Sequence, residues 1–360
     1  MKKIALILAS LLAVSTVVSA KEVIVRPEAV AEPEVIVVAY ESKWKPSGYV
    51  DLGYRYYGHD EYDSADFGRV QMQGKFNFTE KDRVEYRFRR YNSYQTMDHQ
   101  SSLDDDQKIG SFGDASQARL RYFYNNGLIG DSKINLTQRL QYENAQSLGA
   151  ITSNFDNDGN PLGTLGNKYQ DIEYRVIFEF AQYMDWTPEW FKNTSATIQP
   201  YFYYEWDDSD SSNIKAYGAQ LGSMFTLPAG FSFEFNLYPE FSDYNQKSAE
   251  WKLAYEAYLY YGYNLYAEGP YALDFNFEGG MDPYVFNSDS SFGKVFSESG
   301  DASYEAYALP SLEISYRRTE HMKIYAGIAG EYRNWRESDK TSARKWSWMP
   351  QAYAGLRLDF

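Results

Sequence analysis

The segment Ala352-Tyr353-Ala354-Gly355-Leu356-Arg357-Leu358-Asp359-Phe360 alternates strictly between two kinds of position. Every second residue, from Ala352 to Phe360, is apolar, and the intervening positions hold Tyr, Gly, Arg and Asp. Side chains of a β-strand point alternately to opposite faces, so this pattern predicts a strand with one oily face and one wet face. The same alternation recurs from residue 48 onward. This predicts an all-β chain in which every strand separates an apolar from a polar environment.

About fourteen candidate strands follow one another, mostly of about 9–14 residues, the length that a tilted strand needs to cross a bilayer. Their connections alternate between short turns, such as Thr79-Glu80-Lys81-Asp82, and long or acidic loops. This favours a transmembrane antiparallel β-barrel, with 12–16 strands compatible with the pattern and both termini on the periplasmic side. The predicted strands are 48-57, 67-79, 82-94, 116-125, 131-143, 169-180, 194-206, 214-226, 230-242, 250-262, 271-279, 303-317, 321-336 and 344-360.

Residues 1-20 are typical of a secretory signal peptide. Lys2 and Lys3 precede the apolar stretch from Ile4 to Val18, and Val18-Ser19-Ala20 resembles a cleavage site. Residues 21-44 contain Arg26-Pro27 and Glu32-Pro33, which interrupt short apolar runs and predict a periplasmic tether. The predicted domains are therefore a signal peptide (1-20), a tether (21-44) and an outer-membrane barrel (45-360). The predicted location is the cell outer membrane, after removal of the signal peptide.

The composition also favours a membrane barrel. Charged residues make up 24% of the chain, yet aromatic residues reach 18%. A barrel with a polar lumen and aromatic girdles reconciles these values, whereas a soluble all-β protein would need an oversized core of Tyr and Phe. The formal charge is −15, and removing Lys2 and Lys3 with the signal peptide would make it −17. This argues against nucleic acid as a partner, and the absence of Cys excludes thiolate metal sites.

Several motifs resemble the FomA-type major outer-membrane porin of fusobacteria. The resemblance is densest in the last hundred residues and is carried by Leu273-Asp274-Phe275-Asn276-Phe277-Glu278-Gly279-Gly280, Gly330-Glu331-Tyr332-Arg333-Asn334-Trp335, Trp346-x-Trp348-x-Pro350 and Phe76-Asn77-Phe78-Thr79-Glu80. It implies a trimeric general diffusion porin that passes ions and small hydrophilic solutes and also acts as a surface adhesin. It implies no catalytic residue and no cofactor. The loops 95-115, 143-168 and 283-302 would carry any contact with host or bacterial surface ligands.

The inward positions of the predicted strands segregate by charge. On the predicted strands from 67-79 through 131-143, the inward positions carry one acid, Glu85, and nine bases: Arg69, Lys75, Arg83, Arg87, Arg89, Arg119, Arg121, Lys133 and Arg139. On the predicted strands from 169-180 through 321-336, omitting 214-226, the inward positions carry five bases and twelve acids. The acids are Asp171, Glu173, Glu179, Glu205, Glu234, Glu240, Glu256, Asp274, Glu278, Glu305, Glu313 and Glu331. Walls of charge set the selectivity of a channel. We therefore predict a pore-lining basic wall (Arg83, Arg87, Arg89, Arg119, Arg121, Arg139) and a pore-lining acidic wall (Glu234, Glu256, Asp274, Glu278, Glu313), with scattered ion pairs as the alternative.

The sequence also contains features that a substrate-specific channel, an enzyme or a calcium site would use. A substrate-specific sugar channel would use the inward Tyr201, Tyr203, Tyr258 and Tyr260 as a stacking track. An enzyme would need the pairs His59-Asp60 or Asp98-His99 as rim bases, and isolated pairs of this kind are usually solvated. Asn154-x-Asp156-x-Asp158-Gly159 imitates a calcium loop, but the position of the bidentate Glu holds Leu165. We predict no enzyme, no metal and no cofactor.

Three further predictions concern assembly. Phe360 resembles the terminal aromatic that the barrel-assembly machinery reads, so it is predicted to be an assembly signal. Loop 143-168 is predicted to fold inward and constrict the lumen. Small outward residues on the last three strands, including Ala326, Ala352 and Ala354, predict the contact between subunits of a homotrimer within the membrane lipid.

Overall fold

The computed structural model describes residues 44–58, 67–93, 115–147, 168–207, 212–246, 248–287, 306–336 and 343–360. These residues form fourteen strands. The strands are β1 (Ser47–Tyr57), β2 (Phe67–Asn77), β3 (Asp82–Ser93), β4 (Ala115–Leu128), β5 (Asn135–Ser147), β6 (Lys168–Glu179), β7 (Lys192–Asp207), β8 (Asn213–Thr226), β9 (Phe231–Tyr244), β10 (Glu250–Glu268), β11 (Tyr271–Asn287), β12 (Ala306–Thr319), β13 (Met322–Arg336) and β14 (Ala343–Asp359).

Each strand pairs antiparallel with its neighbours in the sequence, and β1 closes the ring by pairing with β14. Gly53 lies opposite Gly355 at the middle of this closing pair. Closure leaves no free sheet edge, so every strand has a backbone partner on both sides. The prediction of an antiparallel barrel of about fourteen strands is confirmed.

The connections divide the barrel into two ends, here called the turn end and the loop end. At the turn end the strands are joined by residues 78–81, 129–134, 180–191, 227–230, 269–270 and 320–321. The first turn is fixed by the Thr79 hydroxyl, which accepts bonds from the backbone N–H of Lys81 (3.1 Å) and of Asp82 (3.0 Å). The two-residue turn between β10 and β11 uses Gly269 at φ 55°, a conformation that glycine adopts without cost. The loop end carries the other connections, most of whose residues lie outside the described ranges; the connection between β9 and β10, residues 245–249, is described except at residue 247.

The connection between β6 and β7 is the longest at the turn end. It contains two short 3₁₀ turns, Ala181–Tyr183 and Glu189–Phe191. Trp186 is 75% exposed and Trp190 is 66% exposed. Within the described part of the chain, no helix is long and apolar enough to cross a membrane.

Tyrosine rings from neighbouring strands pack over glycines on the inner face. A Cβ on Gly327 would lie 2.4 Å from Cζ of Tyr353, and a Cβ on Gly355 would lie 2.3 Å from the Tyr325 hydroxyl. The centroids of these two rings are 6.3 Å apart. Glycine thus lets the rings lie against the wall of the barrel, a known device for fixing register in curved sheets.

Replacing Gly327 with valine is expected to lower the unfolding free energy by about 1–3 kcal/mol, because Tyr353 and the Leu312 carbonyl oxygen leave no room for the side chain. The control is Gly262→Ala on β10, where the nearest atom to an added Cβ is Oδ1 of Asn276 at 3.5 Å. The measurement is the denaturant midpoint of the refolded protein in detergent. Equal midpoints for the two variants would contradict this account of Gly327.

Candidate functional site

The alternation of each strand gives the barrel two chemically different faces. One face is polar, and its side chains hydrogen-bond across strands, as between Arg55 Nη1 and Gln351 Oε1 at 3.0 Å. A cavity lined by Asp51, Gln71 and Tyr325, from three strands, shows that this polar face is the concave one. The other face is convex and exposes large apolar side chains, among them Leu52, Val70, Phe88, Leu120, Leu140, Ile172, Ile198, Leu221, Ile314, Ile328 and Leu358.

Five arginines lie on neighbouring inner positions of β2, β3 and β4, and we call them the arginine cluster: Arg69, Arg87, Arg89, Arg119 and Arg121. Their acceptors are mostly neutral amides. Arg87 Nη2 donates to Gln117 Oε1 at 3.0 Å, and Arg89 Nε donates to Gln71 Oε1 at 2.6 Å. Arg121 Nε donates to an amide of the same kind, that of Gln141, at 2.6 Å. The cluster therefore keeps most of its positive charge.

The two remaining members of the predicted basic wall have acidic partners. Arg83 Nε lies 3.2 Å from Glu85 Oε1, and its guanidinium carbon lies 4.0 Å from the centroid of the Phe123 ring. Arg139 pairs with Glu173 on β6, which also accepts from Arg175 Nε at 2.8 Å. Glu173 thus sits between two arginines whose side chains are about nine-tenths buried.

A chain of hydrogen bonds crosses from the basic to the acidic half of the inner face. Arg175 Nη1 donates to Gln220 Oε1, and Gln220 Nε2 donates to Asn236 Oδ1 at 2.8 Å. Asn236 Nδ2 then donates to Glu256 Oε1 at 3.0 Å. The chain runs over β6, β8, β9 and β10, and it assigns the inward parity of β8, which the sequence pattern left open.

The acidic half is lined by carboxylates that accept from tyrosine hydroxyls. Tyr258 donates to Glu256 at 2.9 Å, and Tyr260 donates to Glu234 at 3.0 Å. The same pattern links Tyr201 to Glu240, Tyr203 to Glu205, Tyr238 to Glu256 and Tyr307 to Glu278. Since an ionised carboxylate only accepts, each tyrosine fixes one lone pair and leaves the negative charge in place.

The two predicted walls lie on opposite halves of the ring. In a closed ring of fourteen strands, β3 stands seven strands from β10 in either direction, and β4 stands likewise from β11. The predicted basic wall occupies β3 to β5, and the predicted acidic wall occupies β9 to β12. Arg83, Arg87, Arg89, Arg119, Arg121 and Arg139 face inward, as do Glu234, Glu256, Asp274, Glu278 and Glu313. Their role in conduction remains a prediction.

Sequence reasoning misplaced one side chain and missed others. The strand predicted at 131-143 is β5, Asn135–Ser147, so Lys133 lies in an exposed turn and not on the inner face. The predicted set of inward acids omits Glu143. It lies on the inner face beside the arginine cluster, where it accepts a hydrogen bond from Gln117 Nε2. Glu143 is the last residue of the predicted strand 131-143 and shares the parity of Arg139, so applying the alternation to the end of that strand finds it. Glu305 lies outside the described residues.

The candidate catalytic and metal motifs are not tested. His59, His99 and the calcium-like segment 154–159 lie outside the described residues, as do most residues of the loops 95-115, 143-168 and 283-302, which are predicted to contact surface ligands. Among the residues that are described, no group of His, Cys, Asp and Glu could hold a metal ion. His321 lies in a turn with Nε2 3.3 Å from the exposed Glu320 carboxylate. Phe360 is exposed after β14, and its role in assembly remains a prediction.

Comparison with known proteins adds weak similarities. No protein-family model matches the chain, and no curated protein matches it. It is similar to a bacterial polysaccharide outer membrane secretin, with TM-score 0.39 and 8% identity over 87% of this chain and 98% of that one. It is also similar to an anion-selective porin from Comamonas acidovorans and to OmpT of Vibrio cholerae. Both have TM-score 0.30 and 8% identity over 88% of this chain and 99% of the other. Likeness at this level carries no information on what the barrel conducts or binds.

Proposed function

We propose that this protein is an outer-membrane general diffusion porin that passes ions and small hydrophilic solutes. The observation that carries the proposal is the combination of a closed barrel, a convex apolar face and a concave face of charged and tyrosine side chains. A water-soluble barrel would reverse this arrangement and bury its apolar side chains inside. No covalent chemistry is needed for the proposed function.

The convex face supports a place in the bilayer. Outward residues such as Leu120, Ile314 and Ile328 are 48%, 57% and 62% exposed. Monomeric soluble proteins rarely expose contiguous apolar patches on this scale. The strands have 11 to 19 residues, enough for tilted strands to cross a hydrocarbon layer of roughly 25 Å.

Exposed aromatic residues mark both ends of the convex face. Towards the loop end lie Trp251, at the beginning of β10, and Trp348, near the beginning of β14. At the turn end lie Trp190 and Tyr271, and all four side chains are more than half exposed. Trp and Tyr concentrate at the two interfaces of a membrane because their rings are amphipathic. The spacing of these residues fits two girdles around an apolar band.

The remaining parts of the proposal rest on the sequence. A signal peptide over 1-20 and a tether over 21-44 would deliver the barrel to the outer membrane with both termini in the periplasm. A relationship to FomA-type porins, with a homotrimeric assembly and a role as a surface adhesin, belongs to the same proposal. The absence of an enzymatic activity is likewise proposed, because the described lumen offers hydrogen-bonded carboxylates and arginines without an activated nucleophile.

Single-channel recording tests the proposed function. The refolded protein, inserted into a planar bilayer, is expected to give discrete conductance steps that scale with the conductivity of the bathing salt. Neutral sugars are expected to lower the conductance of the channel only as much as they lower the conductivity of the bathing solution. Folded protein that inserts without conducting would overturn the proposal.

A substrate-specific sugar channel is the second candidate, and one observation favours it. Tyr201 and Tyr258 face inward with their rings against glycines, since a Cβ on Gly218 or Gly280 would lie 2.5 Å or 2.7 Å from ring atoms. Rings that lie along the wall offer a face for stacking on a sugar. A saturable, sugar-dependent block of the current would support this candidate over general diffusion.

The subunit contact proposed on β12 to β14 is testable on the convex face. Ala326 and Ala354 are cross-strand partners, and both are exposed beside Ala352. Small residues let neighbouring backbones approach closely, so Ala326→Trp is expected to convert at least half of the oligomer to monomer on a mild-detergent gel. The control is Leu120→Trp, which places the same bulk on the convex face of β4. Intact oligomers in Ala326→Trp, or equal loss in both variants, would contradict this contact.

A further inference from the structure

Two arginines oppose each other directly on the inner face. Arg87 on β3 and Arg119 on β4 are cross-strand partners midway along β3. Like charges placed directly opposite destabilise a sheet. This pair therefore lowers the stability of the barrel, and the barrel architecture itself does not require the two arginines.

A second pair of the same kind shows how the fold can remove that cost. Arg139 on β5 and Arg175 on β6 are also cross-strand partners. Glu173 lies between them and binds both guanidinium groups. A carboxylate of the protein thus bridges this second pair and offsets one of its two positive charges.

No carboxylate of the part of the chain that is described bridges the Arg87–Arg119 pair in this way. Among the described residues neither arginine, nor the adjacent Arg89, has an ion-pair partner, and Arg87 donates to the neutral Gln117 amide. Glu143 on β5 lies directly opposite Arg119, and its carboxylate accepts a hydrogen bond from Gln117 Nε2. Among the residues that the structure describes, the buried Nε atoms of Arg69 and Arg87 have no hydrogen-bond acceptor, as is also true of those of Arg83 and Arg139. The cluster is thus held in shape mainly by amides, and the neighbouring Glu143 offsets only part of its positive charge.

We propose that the arginine cluster is a binding station for multivalent oxyanions, meaning solutes that carry several phosphate or carboxylate oxygens. The guanidinium group presents a planar fork of donors that matches such oxygens, and several forks converge here on one position of the lumen. An anion between Arg87 and Arg119 would play the part that Glu173 plays in the neighbouring pair. This inference rests on the proposed function, because the cluster must be reached by solute through the lumen.

Blocking of the channel by oxyanions tests the inference. Single-channel current is recorded in potassium chloride while chloride is replaced, at constant ionic strength, by inorganic triphosphate in one arm and by citrate in the other. A saturable decrease of conductance is expected in at least one arm. Block by triphosphate alone assigns the site to phosphates, block by citrate alone assigns it to carboxylates, and block by both assigns it to oxyanions in general.

Variants test whether the block by oxyanions depends on the arginine cluster or on the overall charge of the lumen. Arg87→Gln with Arg119→Gln is expected to raise the half-blocking concentration about tenfold or more, since a charge-assisted hydrogen bond is worth at least one factor of ten. Arg87→Lys with Arg119→Lys keeps the charge, guards against a folding defect, and is expected to lose part of the block. The control is Arg333→Gln, an inward arginine of β13 that is paired with Glu331 at 2.6 Å.

Three outcomes decide the inference. A conducting channel that neither anion blocks, or a block that survives unchanged in the glutamine double variant, overturns it and leaves the proposed function standing. An equal loss of block in Arg333→Gln also overturns it, because the effect would then belong to overall charge. If the barrel does not conduct, thermal unfolding in detergent replaces the current. Stabilisation by triphosphate that the glutamine double variant loses would support the station, and its absence from the parent protein would reject it.

Discussion

Replacing Arg87 and Arg119 together with serine is expected to raise the cation-to-anion permeability ratio of the channel about two- to fivefold. A unit charge about 7 Å from a permeating ion contributes about 0.6 kcal/mol at the dielectric constant of water. Two charges removed from one side of the lumen therefore change the energy of a cation relative to that of an anion by about 2.4 kcal/mol before screening. Screening over about 8 Å at physiological ionic strength reduces this difference to about 1 kcal/mol. The reversal potential across a gradient of potassium chloride measures the change.

The reciprocal change lies on the opposite half of the ring. Glu256→Gln with Glu278→Gln removes two negative charges from β10 and β11 while keeping side-chain size. The parent channel should prefer cations weakly, since its acidic residues exceed its basic ones, and this double variant should move the preference towards anions. Both shifts should shrink as salt rises, because the screening length falls below about 8 Å above physiological ionic strength.

One control variant tests whether removing a positive charge elsewhere has the same effect. Lys81→Ser changes the same charge type in a turn of the turn end, where the side chain is exposed, and should leave the reversal potential near that of the parent. If both double variants also keep the parent value, the walls do not line the conducting path. That result would contradict the proposed roles of Arg87, Arg119, Glu256 and Glu278 in ion selectivity. It would not contradict the barrel fold.

The strands and their inward faces could be predicted because alternation is a local signal. Arg83, Glu85 and Arg87 alternate with Val84, Tyr86 and Phe88, and the structure places the two sets on opposite faces. The end of a strand is less well marked. Lys133 continues the parity of Arg139 through a polar turn, so the pattern alone could not show that β5 begins only at Asn135.

Partners across strands could not be predicted, because they depend on register. Nothing in the segment around Glu173 shows that it lies between Arg139 and Arg175, since this requires the pairing of β5 with β6. β8 posed a different difficulty. Its inward positions include Gly218 and Gly222, which carry no side chain to reveal a face in the sequence. The face is shown by contacts with neighbouring strands, namely Tyr201 over Gly218 and the hydrogen bonds of Gln220 with Arg175 and Asn236.

The second large effect is expected at Glu173 itself. Glu173→Gln removes the charge that separates two opposed arginines, and all three side chains are about nine-tenths buried. Breaking a buried ion pair by neutralising one partner leaves the other charge uncompensated, which costs about 3–5 kcal/mol. Because water in a lumen screens part of this charge, we expect a loss of about 3 kcal/mol in unfolding free energy. Denaturant unfolding of the refolded protein in detergent measures it.

The control is an ion pair of the same chemistry in a wetter place. Arg83 and Glu85 form a contact at 3.2 Å with side chains 38% and 33% exposed. An exposed pair of this kind contributes about 0–1 kcal/mol, so Glu85→Gln should cost far less than Glu173→Gln. The comparison isolates burial, because the substitution is identical in the two variants.

A third variant identifies charge balance as the cause. Arg139→Gln in the Glu173→Gln background removes one of the two arginines left facing each other, so it should restore part of the lost stability. Arg139→Gln alone should cost less than Glu173→Gln, because Glu173 then still pairs with Arg175 at 2.8 Å. The double variant would thus be more stable than the sum of its parts predicts, which is the signature of coupled residues. Simple addition of the two single effects would mean that Glu173 stabilises the barrel by packing and hydrogen bonding, and not by separating the arginines.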